Sequence, residues 1–449
     1  GREHPDTQGV RLSLASTLRG SGDLPGARDL YRQVFASRER SLGPDHRDTL
    51  AAGSGLAWVL NALGEREEAR DLYRRILESR KRTLGEDHAD TAAVRESLAR
   101  VHAALGEHAA AADLYREALA SLGGTGGQAG TEGLAGAGIL ELKEGLARAL
   151  AAGGDREAAR DLYAETLAEH DRLQGPRHPD AVSAAWALAP LLRQLGDLQG
   201  ARALLERVLA AREELQGGEH PDALAAREAL AYTLDLSGER EAARDHYAAV
   251  LAARETALGP ASRETLAARA GLAGALAGLG DHAAARNHWE AILAAREESL
   301  GPEAPETLAA ASRLASSLNA LGDREAARDL CLRVLSAREK ALGPEAPETL
   351  SAASQLAFTL NAMGDREAAR DLYRRVLAAR ESALGPDHGD VNASRAGLAA
   401  ALRGLGDNEG AASLYRSILE SRERILGPDH PDTEAVRRAL DAATDPFLD

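Results

Sequence analysis

The sequence has one cysteine, one methionine and few aromatic residues, which make up 3% of the chain. The lone Cys331 excludes an intramolecular disulfide. No apolar run reaches the ~18 residues that a membrane-spanning helix requires, so no membrane partner is expected. Basic residues are outnumbered, 54 against 70 acidic ones, for a formal charge of −16. That balance excludes a broadly basic surface for non-specific nucleic-acid binding, though it leaves room for a local arginine cluster. Lysine occurs only at positions 81, 143 and 340. Set beside the abundant alanine and glycine, this suggests a GC-rich bacterial genome. No signal peptide is expected from these residues, and a cytoplasmic location is expected. No Ser/His/Asp, Cys/His or paired-carboxylate arrangement stands apart from the rest of the pattern. The expectation is therefore a protein that is not an enzyme and carries no cofactor or metal.

What the chain does have is a period. A Leu/Gln-Gly turn falls at Gly43, Gly85, Gly175, Gly217, Gly259, Gly301, Gly343, Gly385 and Gly427. The spacing is 42 residues throughout, except for 90 between Gly85 and Gly175, which is two periods plus six. A repeat of this length is the signature of a helical solenoid. At 449 residues the chain is long enough for three ordinary domains, but the unbroken period argues for one elongated array.

The stretch from Leu342 to Leu384 shows how a unit is built. Leu350, Ala353, Leu356, Ala357, Leu360 and Met363 recur at steps of three and four, which makes one face of an α-helix apolar. Glu348 and Thr349 follow Pro347 as first-turn residues, and Gly364 ends the helix. Ala369, Leu372, Tyr373, Val376 and Leu377 form the apolar face of a second helix. Glu367 with Arg370, and Asp371 with Arg375, stand at ion-pair spacing on its outer wall. A connection of about two residues forces the helices antiparallel. One hairpin cannot cover its own apolar face, so neighbours must stack. Ala357 and Ala369 allow close approach of the two helices, and Tyr373 is large enough to wedge against the next unit. The same slot holds Cys331 one unit earlier, where it reads as a buried packing residue.

Leu356, Ala357, Leu360, Gly364, Ala369, Tyr373 and Leu377 together resemble the tetratricopeptide repeat family, and the pattern recurs about ten times. The Leu-Gly-Pro-Asp-His-Pro-Asp-Thr linker at 426–433 looks like the kinesin-light-chain subtype, which is also abundant in bacterial signalling proteins. The resemblance implies an all-α, right-handed superhelical solenoid of about ten helix-turn-helix repeats with a C-terminal capping helix. It also implies that the first helix of each repeat lines a concave face that binds a protein or an extended peptide. The expected organisation is repeats 1–3 over 1–122, a Gly-rich insertion over 123–136, repeats 4–10 over 137–431, and a capping helix and tail over 432–449. First helices are expected to begin near Asp6, Asp48, Asp90, Ala137, Asp180, Asp222, Glu264, Glu306, Glu348 and Asp390, and the cap near Asp432. Arg437, Arg438 and Asp441 are expected on the solvent side of the cap.

On each first helix three positions, at i, i+4 and i+7, are expected to face the groove. The middle one reads Ser16, Trp58, Arg100, Arg148, Pro190, Tyr232, Gly274, Ser316, Phe358 and Ala400, which is too variable for a packing slot. The position four before supplies Trp186. The position three after supplies Asn61, Arg193, Asp235, Asn319, Asn361 and Arg403. Aromatics with arginine and asparagine are what binding hot spots favour. Asparagine amides can also hold a peptide backbone in register. Glu96 with Arg100, and Glu144 with Arg148, read as internal ion pairs. The repeated linker histidines at 4, 46, 88, 178, 220, 388 and 430 read as turn and helix-start residues, because equivalent positions lie a full repeat apart, too far to share a metal.

Two irregularities interrupt the period. Residues 122–138 are glycine-rich and lack the usual linker. They read as a loop, and no Gly-Lys-Ser/Thr follows to make a phosphate-binding loop. Pro190 interrupts the hydrogen bonding of a first helix and is expected to kink it, so curvature should change between about residues 122 and 195. The segment Gly1–Thr7 reads as the middle of a linker, and the natural chain is expected to extend upstream. The readings that remain are a binding scaffold, a sensor array of a larger signalling ATPase, or an array fused to an effector enzyme. Self-association is compatible with each.

Overall fold

The computed structural model describes residues 5–123 and 134–444, and among them finds 21 α-helices and no strand. By its contacts the chain divides into two compact units, residues 1–233 and 234–449, with the division inside the helix Pro221–Leu236. The first unit carries α1 (Pro5–Ser21), α2 (Leu24–Leu42), α3 (Arg47–Ala62), α4 (Arg66–Leu84), α5 (Ala89–Ala104), α6 (His108–Gly123), α7 (Leu134–Ala152), α8 (Arg156–Gln174), α9 (Pro179–Gln194), α10 (Leu198–Gln216) and most of α11 (Pro221–Leu236). The second carries the end of α11, then α12 (Arg240–Leu258), α13 (Arg263–Gly278), α14 (His282–Leu300), α15 (Pro305–Leu321), α16 (Arg324–Leu342), α17 (Pro347–Met363), α18 (Arg366–Leu384), α19 (Gly389–Gly404), α20 (Asn408–Leu426) and α21 (Pro431–Thr444). Odd-numbered helices open each pair and even-numbered ones close it. Within each unit a second helix packs both on its own first helix and on the first helix of the next pair.

The observed starts fall one residue before the expected ones, except that α7 is helical from Leu134 rather than Ala137. Leu134 and Ala135 favour helix more than the glycines before them. The rest of the Gly-rich insertion and the tail after Thr444 lie outside the described residues. Despite Pro190, α9 runs unbroken to Gln194.

The connection between α17 and α18 does two jobs. Gly364 takes a left-handed conformation at φ 92°, which costs a glycine nothing, and the Asp365 amide reaches back to the Leu360 carbonyl at 3.0 Å. Asp365 then caps α18, its carboxylate accepting from the Ala368 amide at 3.3 Å. The long linker works in the same way. The imidazole Nδ1 of His46, His88, His178, His220, His388 and His430 accepts from the amide of the aspartate two residues on, at 3.1–3.3 Å. Thr91, Thr307 and Thr433 donate back to the turn glycine's carbonyl. Ser262 replaces histidine as a cap on the Thr265 amide, whereas Ala304 and Ala346 leave α15 and α17 with no side-chain cap. Ala346→Ser is therefore expected to stabilise the second unit by about 1 kcal/mol, measured as a higher denaturant midpoint at unchanged slope.

The inter-pair wedge is the tyrosine slot. Tyr31, Tyr73, Tyr115, Tyr163, Leu205, Tyr247, Trp289, Cys331 and Tyr373 are all buried. A β-carbon added at Gly55, Gly145, Gly271 or Gly397 would lie within 2.3–2.5 Å of the facing tyrosine ring, so the ring lies directly on the backbone of the next first helix. Ala357 and Ala369 are fully buried, as close helix approach requires. At the C-terminal end α21 buries Thr433, Val436 and Ala443 against α20 and leaves Arg438 and Asp441 exposed. Arg437 departs from expectation: it turns back to Glu423 at 2.9 Å.

The outer wall also differs from the sequence reading. Arg370 pairs with Asp371 rather than Glu367, and Arg375 reaches Glu339 of α16 at 2.8 Å rather than Asp371. Bridges between consecutive second helices recur, as in Arg32 to Glu68 and Arg333 to Glu297. A neighbouring helix offers carboxylates as well as a helix's own next turn, where Arg116 meets Asp113 and Arg202 meets Glu206.

Candidate functional site

The middle position of the first helices faces outward. Trp58, Tyr232 and Phe358 are exposed by 46%, 46% and 57%, and they are the only exposed aromatics among the described residues. The other described aromatics are buried or half-buried. Arg100, Arg148, Gly274, Ser316 and Ala400 are exposed at the same register, and Pro190 is half-buried.

In the first unit two of these rings carry an arginine. The Arg19 guanidinium of α1 lies 5.1 Å from the centre of the Trp58 ring on α3, and the Arg193 guanidinium of α9 lies 4.9 Å from that of Tyr232 on α11. Both arginines come from the position three after the middle one, one pair earlier. Such stacking contributes about 0.5–1 kcal/mol at exposed sites and holds the ring upright. The Trp58 ring borders an open groove of ≈ 570 Å³ with Ser13, Ser16, Arg19, Ser54 and Tyr73. The Tyr73 hydroxyl donates to the Ser54 carbonyl at 3.4 Å, and burial pushes its pKa up. Arg100 is tied to Glu96, as expected. Glu144 instead pairs with His170 at 3.0 Å, which leaves Arg148 with no carboxylate partner among the described residues.

Trp186 differs from the other three. It is half-buried, and Arg212 of α10 covers its ring at 4.5 Å. Arg212 in turn donates to the Asp222 carbonyl at 2.9 Å, and burial lowers its pKa. Trp186 therefore sits against an anchoring arginine as part of the wall. Arginines in that slot recur: Arg38, Arg80, Arg254, Arg296, Arg338, Arg380 and Arg422 each donate to the carbonyl ten residues on. Reading for groove residues passed over them. Their signal was an arginine repeating with the period in the last turns of the second helices other than α6 and α8.

In the second unit the same register is polar and mostly uncharged. Asn319 Nδ2 donates to Thr359 Oγ1 at 2.8 Å. Gln355 Nε2 donates to the Ser312 carbonyl at 2.6 Å and to Ser316 Oγ at 3.0 Å. Asn319 thus commits one amide hydrogen inside the protein, while its buried Oδ1, like that of Asn61, has no partner. Asn361 is half-buried and Arg403 exposed. Asp235 is half-buried, 3.7 Å from Arg240. Among the described residues no three His, Cys, Asp or Glu side chains cluster as metal ligands, and no helix is long and apolar enough to cross a membrane. Cys331 is buried, its sulfur 3.9 Å from Thr359 Oγ1, and burial pushes its thiol pKa up.

A tetratricopeptide repeat model matches residues 6–82, 59–122, 138–214, 182–256 and 306–382. A second model of that repeat matches 265–306 and 393–432. No curated protein matches the chain. Among solved structures, kinesin-light-chain-like, nearly identical TPR-like repeats from Podosopora anserina are 29% identical over 46% of this chain and 97% of theirs, with a TM-score of 0.43. The apo quorum sensor NprR from B. thuringiensis is 11% identical over 83% of this chain and 98% of its own, with a TM-score of 0.55. A signal transduction ATPase with a tetratricopeptide repeat sensor, from Pyrococcus horikoshii, is 13% identical over 93% of this chain and 55% of its own, with a TM-score of 0.52. The last two likenesses concern the fold alone.

Proposed function

Since the chain belongs to the tetratricopeptide repeat family, a family of protein-interaction scaffolds, we propose that it captures an extended peptide or protein segment on the face formed by its first helices. The observation that carries this reading is the register of the exposed aromatics. Trp58, Tyr232 and Phe358 take one position of the repeat, in a chain that buries or half-buries its other described aromatic residues. Each ring is about half exposed, so leaving it so forgoes about half of the ~1.5–3 kcal/mol of full burial, and a partner's surface recovers it. In this reading Trp58 with Arg19, and Tyr232 with Arg193, anchor the first unit, with Asn61, Arg100 and Arg148 beside them. Phe358 anchors the second, with Asn319, Asn361, Asp235 and Arg403 supplying polar contacts. Trp186 supports the wall. No catalytic step, cofactor or metal is assigned.

The test is a peptide-display selection on the full chain, followed by affinity measurement on Trp58→Ala, Tyr232→Ala and Phe358→Ala. All three side chains are half-exposed, so the variants are expected to fold. At least one truncation should weaken a selected peptide ten-fold or more, about 1.4 kcal/mol. Peptides that bind all three variants as tightly as wild type would sink the reading.

A second reading is a sensor array of a larger signalling ATPase. The likeness to the Pyrococcus horikoshii protein, along 93% of this chain, speaks for it. A nucleotide-binding P-loop in the same gene product would favour that reading, and its absence from the complete reading frame would remove it.

A further inference from the structure

Among the outward arginines of the first unit, Arg19 and Arg193 lie on rings and Arg100 bonds Glu96. Arg148 stands four residues after Glu144, the spacing at which Arg100 meets Glu96. Yet Glu144 turns away from it, to His170 Nε2 at 3.0 Å. The reason lies 26 residues on, in the second helix of the same pair. That slot meets the first-helix position four before the middle one: Arg212 covers Trp186, and His170 holds Glu144. After Glu96 the same offset gives Leu122, whose side chain offers a carboxylate no hydrogen bond, and Glu96 closes on Arg100. His170 is buried, with its Nδ1 facing Gln174 Oε1 at 3.2 Å, so the ring is fixed from both sides.

Arg100 and Arg148 take one register on α5 and α7, which lie against each other, and both are exposed. Tyr115 of α6 rises between them. A β-carbon at Gly145, three residues before Arg148, would be 2.9 Å from the Tyr115 hydroxyl oxygen, so that oxygen lies over the α7 backbone beside Arg148. Burial pushes the pKa of this hydroxyl up, whereas Arg100 and Arg148 both act to lower it. The two guanidiniums therefore bear on one oxygen. Arg148 also meets the hydroxyl of Tyr163. Of the acidic residues nearby, Glu96 and Glu144 are both held, and Glu141 is exposed two turns earlier on α7.

We propose that Arg148, Arg100 and the Tyr115 hydroxyl bind an anionic oxygen group of the captured segment, an acidic side chain or a phosphate monoester, and that His170 keeps this subsite open by holding Glu144 off Arg148. Two guanidinium forks and a hydroxyl supply the donors that such a group requires. His170 is a positioning residue and touches no ligand. Glu96 competes with the ligand for Arg100. The chain as a whole carries −16 and repels an acidic segment, so an uncompensated arginine in the groove gives such a segment a place to settle. The inference rests on the peptide-capture reading and adds to it the charge of what is captured.

The probes are acetyl-phosphoserine methylamide and acetyl-glutamate methylamide, with the serine and glutamine compounds as neutral counterparts. Each is titrated into the full chain with isotope-labelled arginine side chains and followed by NMR. The Arg100 and Arg148 signals should shift saturably with an anionic probe and not with the neutral ones, and the tighter anionic probe names the source of the charge. Arg148→Gln should abolish binding at an unchanged melting temperature, because the side chain is exposed. His170→Leu copies the residue at the same slot of α6. It should weaken binding about ten-fold, as loss of a charged hydrogen bond does, and adding Glu144→Gln should restore it. A merely structural role for His170 would leave the double variant as weak as the single one. Glu96→Gln should tighten binding. No saturable shift with either anionic probe, His170→Leu binding as tightly as wild type, or a double variant no stronger than His170→Leu overturns the proposal. Peptide capture fails separately: a chain that binds these small anions through Arg148 but yields no peptide in the display selection keeps the subsite and loses that reading.

Discussion

Replacing Tyr373 with alanine is expected to cost the second unit about 3–5 kcal/mol, the range for truncating a buried aromatic. The ring is buried, and the position of a β-carbon at Gly397 would be 2.5 Å from its Cε1 and Cζ. The alanine variant therefore leaves a cavity between α18 and α19 that the rigid α19 backbone cannot fill. The residue facing the slot varies along the chain, and Tyr73 and Tyr163 face Ser97 and Ala187 rather than glycine. Where it holds Cys331, the facing residue 24 positions on is Gln355; where it holds Trp289, that residue is Arg313. The double substitution Tyr373→Cys/Gly397→Gln copies a pair that the chain already uses, and it should recover part of the loss. Urea unfolding of the three proteins tests this. A cost below about 1 kcal/mol for Tyr373→Ala would show that the wedge is not where the stacking free energy lies. Burial also pushes the Tyr373 hydroxyl up to about 12. The fold favours the neutral phenol, so this contribution is intact below an ordinary tyrosine pKa of about 10 and is lost as pH rises toward 12.

Much of this fold could be read from the sequence because a solenoid repeats its physics. Helix periodicity, turn glycines and proline-marked helix starts were restated in successive units, so local ambiguities cancelled. Cys331 was placed correctly by register alone. The candidate site was legible only in part. Register identified which positions face outward, and Trp58, Tyr232 and Phe358 are exposed, but register could not say what each side chain meets. Trp186 was drawn under Arg212 because that arginine belongs to a second helix 26 residues away, and a groove reading considers only first helices. Asn319 turned to Thr359 of the next first helix, 40 residues on, a contact that register along one helix does not show. The ion pairs were misread because i,i+3 and i,i+4 spacing is the habit of an isolated helix. In a stack the next helix also presents carboxylates, as Glu339 does to Arg375.

The ion pairs nevertheless left a signal in the sequence, and it leads to the second large effect. An acidic residue near the end of a second helix meets an arginine from one of two places. Glu213, Glu255, Glu381 and Glu423 pair 14 residues on, with Arg227, Arg269, Arg395 and Arg437 of the next first helix. Glu39, Asp171, Glu297 and Glu339 pair 36 residues on, with Arg75, Arg207, Arg333 and Arg375 of the next second helix. The sources exclude each other. In the second group the residue 14 on is Gly53, Ala185, Ala311 or Ala353; in the first, the residue 36 on is Ala249, Ala291 or Ser417, and beyond Glu423 the sequence ends before that offset. Where the acid is replaced by Lys81, the signs reverse, and Arg95 pairs with Glu117 at 3.3 Å.

Of these arginines, Arg395 bonds to the most residues, three. It is buried, binds Glu381 through Nε and Nη2 at 3.2 and 2.6 Å, and donates from Nη1 to the Pro386 carbonyl and to Asn392 Oδ1. Arg395→Ala strands the carbonyl and the amide. Glu381 remains part-exposed, so water softens its loss. The expected cost is about 2–3 kcal/mol, the range for charged hydrogen bonds, rather than the larger penalty of a fully buried pair. The exclusion between sources predicts a rescue: Ser417→Arg, 36 residues after Glu381, supplies the alternative partner and should recover about 1 kcal/mol in the Arg395→Ala background. In wild type, where Arg395 already holds the carboxylate, it should change little. A double-mutant cycle by urea unfolding reads the coupling directly. Equal effects of Ser417→Arg in both backgrounds would mean that the alternation of arginines along this chain has no energetic basis.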